Sequence, residues 1–328
     1  EAAAAALPVP PAAAVPPPAM TQEQAESLPT VVILLGMAGS GKTTVMQRLS
    51  LWSEEAGKST YFVNLDPAVR ETFFEANIDI RDTVKYKEVM RQYGLGPNGA
   101  IMTSLNLFAT KFDQVLDIIK KRAVEEHLDY VFVDTPGQIE VFTWSASGSI
   151  ISESLAAAFP TVMLFCVDTP RCASPTTFMS NMLYACSVLY RSQLPVVCIF
   201  NKSDILPADA MIEWMADYEA FQEAMDAEPD GDTGYLGSLN RSLCLVIDEF
   251  YRTLPAVPVS AATGAGFDRL DDAFATAKGQ YIADYLPILS ERIESARLKE
   301  EQRQADSLEA LRRDAENTPP PGGANAED

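Results

Sequence analysis

Six short apolar runs recur along the chain, at residues 31–35, 61–65, 130–133, 161–168, 195–200 and 256–260. Each is rich in β-branched or aromatic residues and carries no charge before its last residue, the pattern of strands buried on both faces of a sheet. The segments between them change to helical period. Val45, Met46, Leu49 and Trp52 share one face of a helix predicted at 44–56. Leu105, Phe108, Phe112, Val115, Leu116 and Ile119 mark a helix at 104–126, and Phe178, Met182, Leu183, Cys186 and Leu189 one at 177–190. Further helical segments are predicted within 211–252 and at 266–288. Strands alternating with helices predict a mainly parallel sheet covered on both faces, an α/β protein of three layers.

The pattern lapses in six places. Residues 1–29 are rich in Ala and Pro with few large apolar side chains, and read as a disordered segment. Residues 68–93 read as irregular, and 95–100, with Gly-Pro and Asn-Gly pairs, as a tight loop before the next helix. Residues 228–237 read as a loose loop. A charged helix is expected at 289–316, with a thin apolar stripe of Ile293, Ala296, Leu298, Leu308 and Leu311. Residues 317–328, Pro/Gly-rich and acidic, read as a second disordered tail. One domain at 30–288 is left between them.

Charge narrows the function. The 328 residues carry 46 acidic and 25 basic side chains, a formal charge of −21. Holding nucleic acid by its phosphates needs clustered Lys and Arg, so no direct nucleic-acid partner is expected. No apolar stretch has the length of a membrane span, and no basic region followed by an apolar core marks a secretory signal. The five cysteines form no CxxC pair, and Cys166 and Cys198 sit in strand-like runs as small core residues. A reducing, intracellular compartment is the simplest reading. His127, the one histidine, lies among Glu125, Glu126 and Asp129 like a solvated helix end, and no nucleophile motif points to it. Hydrolytic chemistry would therefore use carboxylate or amide groups to activate water.

Chemistry-bearing residues sit where the apolar runs end. The first run closes in Gly36-Met-Ala-Gly39-Ser40-Gly41-Lys42-Thr43-Thr44, the GxxxxGK[ST] pattern, with a helix directly after it. Glycines let the backbone wrap a phosphate, and N–H groups at the helix N-terminus point at it. Lys42 would reach the β- and γ-phosphates, and the Thr43 hydroxyl would ligate magnesium. The second run ends in Asp66-Pro67, where Pro67 keeps Asp66 extended; an ordinary turn aspartate is an equal alternative. The third ends in Asp134-Thr-Pro-Gly137-Gln138. Asp134 would hold magnesium, directly or through water, the Gly137 N–H would face the γ-phosphate, and Gln138 stands where GTPases place a water-orienting glutamine. The fifth ends in Asn201-Lys202-Ser203-Asp204, the NKxD signature. Its Asp accepts from both N1–H and the exocyclic amine of guanine, Asn201 bonds the base or ties loops together, and the Lys202 stem can lie over the ring. The sixth ends in Ser260-Ala261, the turn that often closes a guanine pocket with a backbone N–H.

Taken together, the stretches GMAGSGKTT from Gly36, NLDPAV from Asn64, GPNGAIMTSLNLF from Gly96, DTPGQIEVFTWSASG from Asp134, VDTP from Val167, SPTTFMSNMLYACS from Ser174 and NKSD from Asn201 resemble the GPN-loop GTPase family. The resemblance implies a phosphate-binding-loop NTPase fold with a sheet of the kind shared with signal-recognition-particle GTPases. It implies a magnesium-dependent GTP hydrolase and a homodimer, or a heterodimer with another GPN-loop GTPase. The loop Gly96, Pro97 and Asn98 would enter the neighbouring subunit's site, with Asn98 acting there in trans, while Asp66 and Gln138 position water. The first paralogue, which the spellings resemble most, implies RNA polymerase II subunits as clients, and an assembly and nuclear-import role for a cytoplasmic protein that shuttles to the nucleus. Two rivals remain. One is a GTP-binding scaffold with little turnover, the other a kinase of nucleosides or polynucleotides built on the same loop.

Overall fold

A computed structural model describes residues 20–69, 74–227, 250–251 and 254–317. The expected loop at 228–237 and the tail beyond residue 317 lie outside the described residues. Seven parallel strands form one sheet, in the order β3-β2-β4-β1-β5-β6-β7. They are β1 (Thr30–Gly36), β2 (Thr60–Asn64), β3 (Ile78–Asp79), β4 (Tyr130–Asp134), β5 (Thr161–Asp168), β6 (Val196–Asn201) and β7 (Ala256–Pro258). Six answer the six apolar runs. The seventh, β3, is two residues long in a polar stretch, too short to leave a periodic signal.

Burial follows from the alternation of side chains along these strands. On one face Val32, Leu34, Phe62, Phe132, Val162, Leu164 and Ile199 form a core with Val45, Met46, Leu49 and Trp52 of helix Lys42–Glu55. Phe274 of helix Leu270–Gln280 joins it, its ring 5.5 Å from that of Tyr130. On the other face lie helices Pro97–Ala109, Ala146–Ala158 and Pro175–Ser192. Phe178 stacks on Phe200 at 6.3 Å, and Phe178 and Met182 are fully buried. Of the stripe predicted at 177–190, Phe178 and Met182 therefore lie in the core, while Leu183, Cys186 and Leu189 are half-buried at its edge.

Several expectations need correction. The stretch 68–93 is not irregular throughout: it holds β3 and helices Ile80–Thr83 and Tyr86–Tyr93. The helix at 104–126 is two, Pro97–Ala109 and Phe112–Glu125, broken at Thr110-Lys111. Gly96-Pro97-Asn98 is accordingly not a loop ahead of a helix but its cap and first turn. Pro97 takes the first helical position, where its missing N–H costs nothing. Helices Ile139–Thr143 and Ala146–Ala158 occupy a stretch with no predicted element. The second buries Ser147, Gly148, Ser152 and Ala156 beside Ile151 and Leu155, a face too rich in small residues to show as apolar. Of the expected N-terminal tail, residues 1–19 lie outside the described residues, but Gln22–Ser27 is a helix. Thr21 and Gln24 close its capping box, and Lys278 donates to the Glu26 and Leu28 carbonyls at 2.9 and 2.8 Å.

The chain divides into two units, and Thr21–Tyr285 is the one that holds the sheet. The other unit contains Leu286–Asn317, a single 32-residue helix in which Arg297 pairs with Glu301 at 3.0 Å. Among the described residues, no helix is long and apolar enough to cross a membrane.

Candidate functional site

Neighbours of β1 lie on opposite sides in chain order, β4 on one flank and β5 on the other. Open α/β sheets bind ligands at such a reversal, outside the carboxyl ends of the strands. Gly36 to Thr44 sits there. Gly39 and Gly41 adopt φ of +83° and +96°, a region that side chains with a Cβ enter at a cost. At Gly41 a Cβ would also stand 2.5 Å from the Asn201 amide nitrogen.

Lys42 is buried, and its ammonium donates to the carbonyls of Gly36 (2.7 Å), Met37 (3.2 Å) and Gly137 (3.0 Å). The side chain thus curls over its own loop and joins it to the Asp134-to-Gln138 turn. An ammonium removed from water needs its three protons accepted, and three carbonyls supply that. Burial lowers its pKa, opposed by the charges of Asp134 and Asp66. The Thr43 side chain is half-buried and Thr44 exposed.

Two carboxylates face this lysine. Asp66 is buried at the end of β2. Its Oδ1 accepts from the Ala68 N–H at 2.9 Å, and its Oδ2 from the Gly137 N–H at 3.3 Å. Burial raises its pKa, and the two N–H groups and Lys42 offset part of the rise. Asp134 is only 3% exposed, and its Oδ1 has no hydrogen-bond partner. Burial, and then the neighbouring Asp66 charge, push it up to about 7. A buried carboxylate oxygen without a donor is costly. A hard cation takes oxygen ligands of this kind, and the half-buried Thr43 side chain can supply a second, so the residues fit magnesium.

The NKxD residues divide their work. Asn201 donates to the Ser40 carbonyl at 2.9 Å and accepts from the Ala261 N–H at 3.1 Å. Of its two readings the geometry displays loop-tying. The Ala261 N–H, expected to face a base, is engaged by Asn201 instead. Lys202, at φ +68°, crosses to the Gly39 carbonyl at 2.9 Å. Asp204 is exposed, held through one oxygen by the Ser260 hydroxyl at 2.6 Å. Ser260 therefore orients Asp204.

Two predicted residues stand apart. Gln138 is exposed and caps Ile139–Thr143 without a side-chain capping bond. Asn98 is exposed in the first turn of Pro97–Ala109. Neither joins the cluster of Lys42, Asp66 and Asp134. Sequence reasoning also missed contacts. Asp168 and Arg171 bear on the loop, with Arg171 donating to the Ala38 carbonyl at 3.2 Å. Asp168 lies within the VDTP stretch that matches the family, and Arg171 follows that stretch directly.

Comparison with known proteins agrees with this geometry. A family model described as "Conserved hypothetical ATP binding protein" matches residues 34–279. GPN-loop GTPase 1 of Dictyostelium discoideum is 53% identical over 291 residues, covering 88% of this chain and 72% of that protein. GPN-loop GTPase 1 of Saccharomyces cerevisiae is 49% identical over 291 residues, covering 87% and 75%. The crystal structure of a GTPase in apo form from Pyrococcus abyssi superposes with a TM-score of 0.66 at 27% identity, over 75% of this chain and 96% of that one. With the phosphate loop, both carboxylates and NKxD gathered at one end of the sheet, and with relatives of this identity over most of its length, the chain belongs to the GPN-loop GTPase family.

Proposed function

We propose that the chain is a magnesium-dependent GTP hydrolase that works as a dimeric nucleotide switch. The observation that carries this reading is the buried pair Asp66 and Asp134 around Lys42, with the Asp134 Oδ1 left without a donor. Asp134 and Thr43 would hold magnesium, which supplies charge neutralisation at the phosphates. Gly39, Ser40, Gly41, Lys42, Thr43 and Thr44, with the Gly137 N–H, would cradle the phosphate chain. Asp204 would read guanine, supported by Ser260, Ala261, Asn201 and Lys202. The family model's description speaks of ATP, but adenine offers no adjacent N–H pair for a carboxylate.

Asp66 and Gln138 would position the attacking water, which requires Gln138 to turn inward. Asn98 would contribute from a second subunit, either the same chain or another GPN-loop GTPase; its exposure on a helix N-terminus leaves it free to do so. The clients we propose are RNA polymerase II subunits, with a role in their assembly and nuclear import and a cytoplasmic protein that shuttles to the nucleus. Support for the client and the location comes from the sequence resemblance alone.

Gln138→Ala tests both levels. GTP affinity should stay within about threefold of wild type while turnover falls about a hundredfold, the scale of a lost water-positioning group. The variant loaded with GTP should capture polymerase II subunits and a second GPN-loop protein from cell extract more strongly than when loaded with GDP. Unchanged turnover would remove Gln138 from the mechanism. Capture indifferent to nucleotide would reject the assembly switch.

A further inference from the structure

Asp168 closes β5, opposite the Asp66 and Asp134 side of the phosphate loop, and the reading above gives it no task. Its carboxylate is 7% exposed, and its Oδ1 is buried without a partner. The other oxygen, Oδ2, binds two cations, Lys202 at 2.7 Å and the Arg171 Nε at 3.4 Å. Each cation reaches onward to the crest of the phosphate loop. Lys202 donates to the Gly39 carbonyl at 2.9 Å, and the Arg171 Nη1 donates to the Ala38 carbonyl at 3.2 Å. Next along the loop, the Ser40 carbonyl accepts from Asn201 at 2.9 Å and from the Cys166 thiol at 3.4 Å.

Three successive carbonyls are therefore held from outside. In a planar trans peptide the C=O of one residue and the N–H of the next point to opposite sides. Pinning the Ala38 carbonyl outward through Arg171 aims the Gly39 N–H inward, where a phosphate chain would lie, and the Ser40 carbonyl held by Asn201 does the same for the Gly41 N–H. The Ser40 N–H, next to the Gly39 carbonyl that Lys202 holds, donates to the Met37 carbonyl at 3.2 Å and closes the turn. The charges complete the picture. One carboxylate anchors two cations, so the crest keeps an excess positive charge in a chain of formal charge −21. The Arg171 side chain is 67% exposed, and its guanidinium stands 3.4 Å from where a Cβ on Gly39 would lie.

We propose that Asp168 is a positioning residue for the phosphate loop: through Lys202 and Arg171 it sets the outward aim of the loop carbonyls, and so pre-forms the N–H cradle for a nucleoside di- or triphosphate. The proposal rests on the nucleotide-binding reading given above.

Calorimetric titration of the full chain with GDP and IDP tests it, alongside GTP turnover and thermal unfolding. Asp168→Asn should weaken GDP about tenfold, the scale of a lost charge-assisted tether. IDP lacks the exocyclic amine and should weaken by the same factor, because the base is read by Asp204. KM for GTP should rise with kcat within about twofold, the mark of binding lost equally from ground and transition states. Arg171→Gln, at an exposed side chain, secures the test if the buried change impairs folding. It should weaken GDP about threefold alone, and by less than that when added to Asp168→Asn, since the two act as one unit. Unchanged GDP affinity in either variant overturns the proposal. So does a loss confined to unfolding temperature, or a shift in the GDP-to-IDP ratio. A wild-type chain that binds neither nucleotide would overturn the nucleotide reading itself, and this proposal with it, whereas normal wild-type binding with unaffected variants rejects the proposal alone.

Discussion

Asp204→Asn is expected to lower GTP affinity about a thousandfold, because a site built to pair a polar edge rejects strongly when one of its buried groups is mismatched. The Ser260 hydroxyl holds one carboxylate oxygen at 2.6 Å, so the group is fixed while its outer edge stays exposed. A carboxylate accepts from both the N1–H and the exocyclic amine of guanine. An amide in the same place turns one acceptor into a donor that faces an N–H. The same exchange suits xanthine, whose second carbonyl accepts, so xanthosine triphosphate should bind the variant more tightly than GTP does. ATP binding should not change. Titration of wild type and variant with the three nucleotides checks this. A loss of GTP affinity below tenfold would take Asp204 out of base reading and return weight to a kinase-like NTPase.

The second large effect concerns magnesium and pH. Asp134 ionises near 3.8 in an unfolded chain and is pushed up to about 7 here, by burial first and the Asp66 charge second. Between those values the folded, metal-free protein holds a proton that the unfolded chain has released. Stability from this group is therefore complete below the ordinary carboxyl range and is lost as pH rises through about 7. Asp66, raised mainly by burial, adds in the same direction. Magnesium must displace that proton, so its affinity should fall about tenfold per pH unit well below the folded pKa, or about fiftyfold from pH 7 to pH 5. The gain in unfolding temperature from added magnesium should then be large at pH 8 and nearly absent at pH 5. Asp134→Asn should abolish both the gain and its pH dependence. A gain equal at both pH values would mean that the metal is not held by this carboxylate.

Much of this site was legible because its residues end apolar runs. Asp66 follows β2, and Asp134 and Asn201 are the last residues of β4 and β6, so chain order alone carried them to one end of the sheet. The buried stripe of Lys42–Glu55 was legible for a similar reason, since Val45, Met46, Leu49 and Trp52 repeat at helical spacing. What escaped depended on contacts between distant segments. Arg171 meets Ala38 across 133 residues, and no local pattern marks that pairing. Helix Ala146–Ala158 hid because small side chains bury without an apolar signature. The Gly96-Pro97-Asn98 turn misled because proline and glycine punctuate loops and also open helices, and only the packing of Ala100, Ile101, Leu105 and Phe108 decides between them.

The most direct measurement on the central claim, GTP hydrolysis completed by a second subunit, mixes two damaged chains. Asn98→Ala has an intact site and a defective first helical turn; Gln138→Ala has the reverse. Each alone should release phosphate from GTP slowly. Equilibrated in equal amounts, half the dimers pair the two chains, and each such pair contains one complete site, so the mixture should recover about a quarter of the wild-type rate. A mixed rate no higher than the mean of the two variants would contradict an Asn98 that acts in trans, and with it the dimeric hydrolase.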